Sequence, residues 1–406
     1  MAACGLNVDV DALLENDRRS VTAPQGAPRA SNLAGNTPTD IGERTDAPDG
    51  LPPISLPFVI VDEACQSVEP GTLIPVTASN SCRSLVMLGD PCQLPATVKS
   101  DPNSLLSISL MERLAAALPA PMIKMKDEVS TMDRSFIDTL PVRQAKSLVK
   151  AMEARENIAT SVSYRKRFAG SLLLSIQYRM HPSIAALPSS IFYDGLLSTP
   201  TGLDTKRPFP PILNEMMPCD NTDLNVRFLN VGGRCNERRG SGSKSRTTIP
   251  LVTPDQAETT FQNEAEAVEV VKMIKKIIAF DQQYDPDSAK TIGVVSPYSG
   301  QVQLLKSTME NDAELSLLLA NSATTIEVNS VDGYQGRERD VVIFSAVRSN
   351  RRGNVGFLSD WRRLNVALTR AKSALIVVGD IDTLESDRHW AAFIKWCRGT
   401  NCITNK

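Results

Sequence analysis

The sequence predicts an α/β protein with mainly parallel sheets, and three observations carry that expectation. Two short apolar runs, FVIV (58–61) and LVML (85–88), end in Asp62-Glu63 and Gly89-Asp90. That is the pattern of buried parallel strands with polar residues at their C-terminal ends. Beyond residue 263, strand-like and helix-like runs alternate to the C-terminus, which argues for doubly wound units. Finally, NEAEAVEVVKMIKKIIAF (263–280) repeats Ala267, Val270, Val271, Ile274, Ile277 and Ile278 at helical spacing. Such a helix should lay one apolar face against a sheet.

Taken in order, residues 1–53 are expected to be disordered, apart from a brief helix near Asp9–Asn16. Val21 to Pro53 carry six prolines among Gly, Ser, Thr, Asn and Asp, a composition that cannot offset chain entropy. After the strands at 58–61 and 85–88, a helix is expected over about 103–118, with Asn103 or Ser104 as N-cap. Residues 119–165 read as an inserted, charged segment with one or two surface helices. SLLLSI (171–176) reads as a strand leading into QYRMHP (177–182). Residues 219–258 read as a flexible low-complexity loop. Its RCNERRGSGSKSR stretch (234–246) has a net charge of +4 and is either a solvated loop or one that touches phosphate. The amphipathic helix follows. After it come strand 291–296, a helix from Ser299, strands 325–328 and 340–347, helix 359–371, strand 374–380 and a last helix over about 387–398.

A length of 406 residues suits two or three domains at roughly 150 residues each. The chain has 44 basic and 46 acidic residues, a formal net charge of -2. That excludes a histone-like or wholly basic binder but leaves room for a local basic groove. Residues 321–406 hold 13 basic and 9 acidic side chains, whereas residues 1–100 hold 6 and 12. No apolar run approaches the roughly 18 residues of a membrane span, and the N-terminus lacks a signal-peptide pattern. An intracellular protein of nucleus or cytoplasm is expected, without membrane contact. The two histidines, His181 and His389, speak against a His-built metal site. The eight cysteines never fall as C-x-x-C, so free thiols are expected.

Five segments carry candidate chemistry. In VIVDEACQ (59–66), Asp62 at the mouth of a buried strand can reach a magnesium ion. Glu63 can deprotonate an attacking water, although any strand may simply end in carboxylates. In LGDPCQLPATV (88–98), Gln93 offers an amide that can sense a γ-phosphate. In QYRMHP, Arg179 can fork onto phosphate and Tyr178 can stack on a base; a surface arginine capping a turn is the plainer alternative. In VNSVDGYQGRERDVVIFSAVR (328–348), Gly333 and Gly336 permit close backbone approach. Ser330 is a candidate phosphate contact there, and Glu338 a candidate nucleotide contact. In FLSDWRRLNVALTRAK (357–372), Arg363 and Arg370 are two helical turns apart and so lie on one face, serving an anion or forming a solvated basic face.

In this order the five segments resemble motifs II to VI of superfamily 1 helicases, more narrowly the up-frameshift/senataxin-like group. The resemblance covers most of 56–115 and 171–398 and extends between motifs, as in EPGTLIPV (69–76), PSSIFYDGLL (188–197), IGVVSPYSGQVQLL (292–305) and NVALTRAKSALIVVGD (365–380). It implies two RecA-like domains of the P-loop NTPase type with ATP in the cleft between them. Asp62 would hold Mg²⁺, and Glu63 would be the general base. Gln93 would couple the γ-phosphate to strand movement. Arg179 and Arg370 would reach that phosphate from the second domain. Tyr178 would stack near adenine, and Gly336, Glu338 and Arg363 would serve the nucleotide. Single-stranded RNA or DNA would cross the top of both domains, held by Ser330 and by the Ser296-Pro297-Tyr298 turn. A monomer is expected, with the low-complexity segments available to protein partners.

One departure matters. The family uses a G-x-x-x-x-G-K-[ST] loop, whose backbone N–H groups and lysine cradle phosphates. Nothing in residues 1–57 fits it, and GSGSKS (240–245) has serine before its lysine. Residues 54–175 are therefore expected to form a partial first domain, truncated at its N-terminus, and 176–406 a complete second one. The chain is expected to be a helicase fragment of doubtful ATPase activity. Its rival is a non-catalytic nucleic-acid- or partner-binding module.

Overall fold

The computed structural model describes residues 4–9, 55–78, 81–98, 105–117, 171–221, 223–233, 236–240, 260–285 and 289–406. The main sheet has six parallel strands in the order β12-β5-β11-β10-β8-β9. These are β5 (Val226–Asn230), β8 (Thr291–Ser296), β9 (Thr325–Ser330), β10 (Arg339–Ser345), β11 (Ala371–Gly379) and β12 (Ile403–Asn405). Period-two alternation sends the side chains of one strand to two different cores. Val342 and Phe344 of β10, with Leu375 and Val377 of β11, enter one core. Val341 and Ile343, with Ala374, Ile376 and Val378, enter the other.

Helices cover both faces. On the second face lies α5 (Glu264–Tyr284), started by Asn263, whose side chain accepts from Glu266 N. Its Val270, Ile274, Ile277 and Ile278 are fully buried, as the helical spacing requires. With it are α4 (Pro211–Met216), α6 (Ser299–Glu310) and α7 (Ala313–Ala320). The opposite face carries α3 (Pro182–Phe192), α8 (Trp361–Leu368) and α10 (Arg388–Gly399), with short α9 (Ile381–Leu384) beside them.

Residues 219–258 are not one long loop. Within them, Val226–Asn230 forms β5, bonded between β11 and β12, and Glu237–Arg239 forms β6, paired with β7 (Phe261–Asn263). The strand is disguised by Arg227, a charge in the middle of its apolar run, yet fully buried. Residues 241–259 lie outside the described residues.

The smaller sheet runs β2-β3-β1-β4. Strands β2 (Phe58–Val61) and β3 (Ser84–Gly89) are parallel, as expected. Part of the N-terminal segment expected to be disordered is instead ordered: β1 (Cys4–Asp9) lies antiparallel between β3 and β4 (Ser171–Leu173). Cys-Gly-Leu-Asn-Val-Asp alternates apolar and polar residues, which suits a strand, and β1 pairs β3 along a flank that would otherwise be a free edge. The helix expected near Asp9–Asn16 and the segment 119–165 fall outside the described residues. Helix α2 (Leu110–Ala117) starts later than expected, because Ser109 Oγ accepts from Glu112 N at 3.0 Å. Helix α1 (Glu69–Thr77) hides behind two prolines. Pro70 occupies the first turn, where a missing N–H costs little.

Candidate functional site: a cleft between the two sheets

Strands β2 and β3 deliver the first half of the site at their C-terminal ends, where ligands bind in open α/β sheets. Asp62 Oδ1 accepts from Glu63 N at 2.9 Å, and Gln66 Nε2 donates to Glu63 Oε2 at 2.7 Å. Glu63 sits in the left-handed region at φ 50°. That conformation costs a non-glycine residue about 1–3 kcal/mol and gathers at functional sites.

The 89–93 turn is built on Asp90. Its Oδ1 accepts from Cys92 N at 2.9 Å, and its Oδ2 accepts from Gln93 Nε2 at 2.7 Å. Gln93 therefore has a fixed orientation, with Oε1 turned to the second unit, where Arg370 Nη2 donates to it at 3.1 Å.

From the second unit come Arg179 and Arg370, both buried. Arg179 donates from Nε to Glu338 Oε2 at 2.7 Å and from Nη1 to Thr369 O at 2.9 Å. Lys372 meets the same Glu338 carboxylate at 3.0 Å. Partial burial alone would raise the Glu338 pKa; the Arg179 and Lys372 partners outweigh it and bring it down to about 2. Arg370 Nε donates to Val366 O at 2.9 Å, while Nη1 is buried with no partner. Burial, then the Arg179 charge, push the Arg370 pKa down to about 9. Two buried arginines close enough for their charges to interact, one with an unspent donor, can receive an anion.

The shared helical face expected for Arg363 and Arg370 is not observed. Helix α8 ends at Leu368, so Arg370 lies beyond it and turns inward. Arg363 stays partly exposed, paired with Asp332 at 3.2 Å and Asp360 at 3.3 Å. Tyr178 is exposed beside the cleft at 65%. Gly336 adopts φ +74° with open space around it, so backbone conformation rather than crowding asks for glycine there.

Sequence reasoning missed the cross-link beneath these residues. Tyr193 Oη donates to Asp90 Oδ2 at 2.7 Å. Asn365 Nδ2 donates to Tyr193 Oη at 2.8 Å and to Cys92 O at 2.8 Å. Burial raises the Asp90 pKa, against its hydrogen bonds and the Arg370 charge, and burial also drives that of Tyr193 well up. Cys92 and Leu94 pack into the core of the second unit, so the 89–94 turn belongs physically to both units.

The expected nucleic-acid contacts are corrected in part. Ser330 ends β9 and is half-buried, its Oγ accepting from Gly333 N at 3.1 Å. Ser296 and Tyr298 are 0% and 2% exposed and cannot touch a strand on the surface. Tyr298 lies beneath Phe357, at 5.8 Å between ring centroids.

Fold and site together define a RecA-like α/β protein with a cleft between two units. AAA-domain family models match residues 152–382 and 51–101. The chain is 30% identical over 343 residues to the probable helicase MAGATAMA 3 of Arabidopsis thaliana, covering 83% of this chain and 32% of that protein. It is 30% identical over 336 residues to helicase sen1 of Schizosaccharomyces pombe, covering 83% and 15%. It is also 30% identical over 347 residues to the regulator of nonsense transcripts 1 homolog of Drosophila melanogaster, covering 85% and 22%. Half of the chain aligns with the C-terminal domain of a possible DNA helicase from Lactobacillus plantarum at TM-score 0.24 and 14% identity, too slight a likeness to bear on the fold. The chain belongs to the superfamily 1 helicases of the up-frameshift/senataxin-like group, and it spans less than a third of these three relatives' length.

Proposed function

We propose that this protein acts as an ATP-dependent superfamily 1 helicase or translocase on single-stranded RNA or DNA, as a monomer, in the nucleus or cytoplasm. One observation carries the reading: Gln93 of the first unit touches Arg370 of the second, and the free Nη1 of that buried arginine lies among Arg179, Asp90 and Glu63 charges. The Arg370 Nη1 donor and the Arg179 charge suit a γ-phosphate. Among the described residues no group of three or more His, Cys, Asp or Glu could hold a metal, so a cation at Asp62 would need phosphate oxygens to complete its shell. ATP with Mg²⁺ supplies a phosphoryl group whose transfer is governed by positioning and charge stabilisation. Asp62 would hold the cation. Glu63, held by Gln66, takes the proton of the attacking water. Arg370 and Arg179 offset developing charge, a role worth on the order of 10³–10⁵ in rate in related enzymes. Tyr178, Gly336 and Glu338 line the nucleotide's other side, and Ser330 serves the strand.

A second reading, a module that binds nucleic acid or a partner without hydrolysis, is favoured by β1. The strand beside β3 runs antiparallel, so its Cys4 end, opposite Gly89, is the one on the Asp62 and Glu63 side. The 406 residues also contain no G-x-x-x-x-G-K-[ST]. One titration separates the readings. Under the second reading this chain alone hydrolyses ATP at background while binding single strands in a salt-dependent way. Nucleic-acid-stimulated turnover abolished by Glu63→Gln would restore the catalytic reading for the chain by itself. Binding of neither nucleotide nor single strand would sink both.

A further inference from the structure

With Tyr298 buried, the ring presented to solvent on this face is Phe357, 47% exposed. It sits in the 3₁₀ turn Gly356–Ser359, between β10 and α8. A lone exposed phenylalanine needs no explanation, but this one stands on a built support. Tyr298 lies under it at 5.8 Å, and Phe261 meets Tyr298 edge-on at 5.6 Å. Arg348 stacks on Phe261 at 4.2 Å and is clamped by the Glu237 carboxylate at 2.9 and 3.3 Å. Tyr298 Oη donates to Val355 O at 3.2 Å. On the other side, Leu358 is buried and its carbonyl accepts from Trp390 Nε1 at 2.9 Å. Gly356 takes φ +56°, and a Cβ there would come within 2.8 Å of Tyr298 Oη, so the turn is pressed against its base. The ring is backed by Tyr298 and flanked by the Arg363 guanidinium, and about half of the residue stays open to solvent.

The surrounding charge selects the occupant. Residues 348–363 contain five arginines, of which Arg348 pairs with Glu237, Arg362 with Glu112 and Arg363 with Asp332 and Asp360. Arg351 and Arg352 are exposed, and no ion pair involves either among the described residues. Arg363 stands 5.7 Å from the Phe357 ring centroid and, through Asp332, next to the Ser330 turn. A rigid aromatic ring, with Arg351 and Arg352 left without ion pairs on the chain just before it, suits a polyanion that carries flat rings.

We propose that Phe357 is a base-stacking platform of the single-strand track, with Arg351 and Arg352 taking phosphates of the same strand. The proposal rests on the helicase reading above and adds to it a residue that binds through the base rather than the backbone. Stacking of this kind tolerates any base, because every base has a π-face.

The test uses the full chain and a single strand of about 12 nucleotides, as RNA and as DNA, carrying one 2-aminopurine. Phe357→Ala and Phe357→Leu should both weaken binding about tenfold and relieve the 2-aminopurine quenching, leaving the salt slope unchanged. Phe357→Trp should retain both affinity and quenching. Leucine keeps the apolar bulk, so its failure would isolate the π-face from packing. Arg351→Ala with Arg352→Ala should keep the quenching and lower the salt slope by about 1 to 2. Phe357→Ala or Phe357→Leu binding as tightly as wild type, with equal quenching, overturns the platform while leaving the helicase reading standing. Failure of the wild-type chain to bind any single strand overturns both.

Discussion

Tyr193 and Asp90, 103 residues apart, share a buried hydrogen bond of 2.7 Å in which the phenol donates and the carboxylate accepts. Asn365 donates to the same phenol, and Gln93 to the same carboxylate oxygen. Three segments distant in sequence thus meet at one point beneath the cleft. The orientation that lets Gln93 face Arg370 depends on it.

Tyr193→Phe should therefore destabilise the protein by about 1–3 kcal/mol. It removes one donor from a buried carboxylate and leaves Asn365 one acceptor short, and buried groups left unsatisfied cost that much. Equilibrium urea denaturation measures it. A change below about 0.5 kcal/mol would mean that water or local relaxation replaces the phenol, and the network would lose its structural meaning.

Arg227 makes a second case. It is fully buried, donating to the carbonyls of Met217, Leu224 and Val226 and to Asn214 Oδ1, with its guanidinium 4.4 Å over the Phe209 ring. Its charge has no carboxylate partner among the described residues. Burial pushes its pKa down. Arg227→Leu should cost about 3–5 kcal/mol, since it strips several buried acceptors at once. Arg227→Lys should recover little of that, because a point charge cannot serve a planar fork of acceptors. Full rescue by lysine, seen as an unchanged denaturation midpoint, would show that the charge and not the fork holds β5.

These two cases mark what was legible in the sequence. Strands β8, β10 and β11 are continuous apolar runs, and α5 keeps strict helical spacing, so pattern alone located them. Strand β5 was hidden because Arg227 breaks its run while satisfying itself on backbone carbonyls, which no local pattern announces. Helix α1 was hidden by Pro70 and Pro75. In the cleft, short motifs mark Asp62, Glu63, Gln93, Arg179 and Arg370 as candidates, and the structure buries the last three, with Gln93 against Arg370. Asp90, Tyr193 and Asn365 were overlooked because each is ordinary alone and acts only through the other two. Tyr298 was misplaced for a related reason: a tyrosine beside a strand end can face outward or support a neighbour. Only packing shows that Phe357 covers it.

Glu266 gives the fold a pH dependence with a definite sign. It is fully buried at the start of α5 and accepts from Ser345 Oγ at 2.6 Å and from Val347 N at 2.9 Å, with Asp380 nearby. Burial, helped by the Asp380 charge and opposed by those hydrogen bonds, raises its pKa to about 8 from 4.5. Between those two values the folded protein keeps a proton that the unfolded chain has released. Stability contributed through this carboxyl is therefore intact below about pH 4.5 and declines as pH rises toward 8, by up to about 1.4 kcal/mol per pH unit. Glu266→Gln has no proton to lose, and its amide can donate to Ser345 Oγ while its oxygen accepts from Val347 N. The variant should match the wild type near pH 5 and gain on it by several kcal/mol at pH 8, measured as the difference in unfolding free energy at the two values. Other titrating groups cancel in that difference. Equal pH profiles for the two proteins would mean that Glu266 is ionised in the fold, and that Val347, held at φ 73°, is anchored by a carboxylate rather than by an acid.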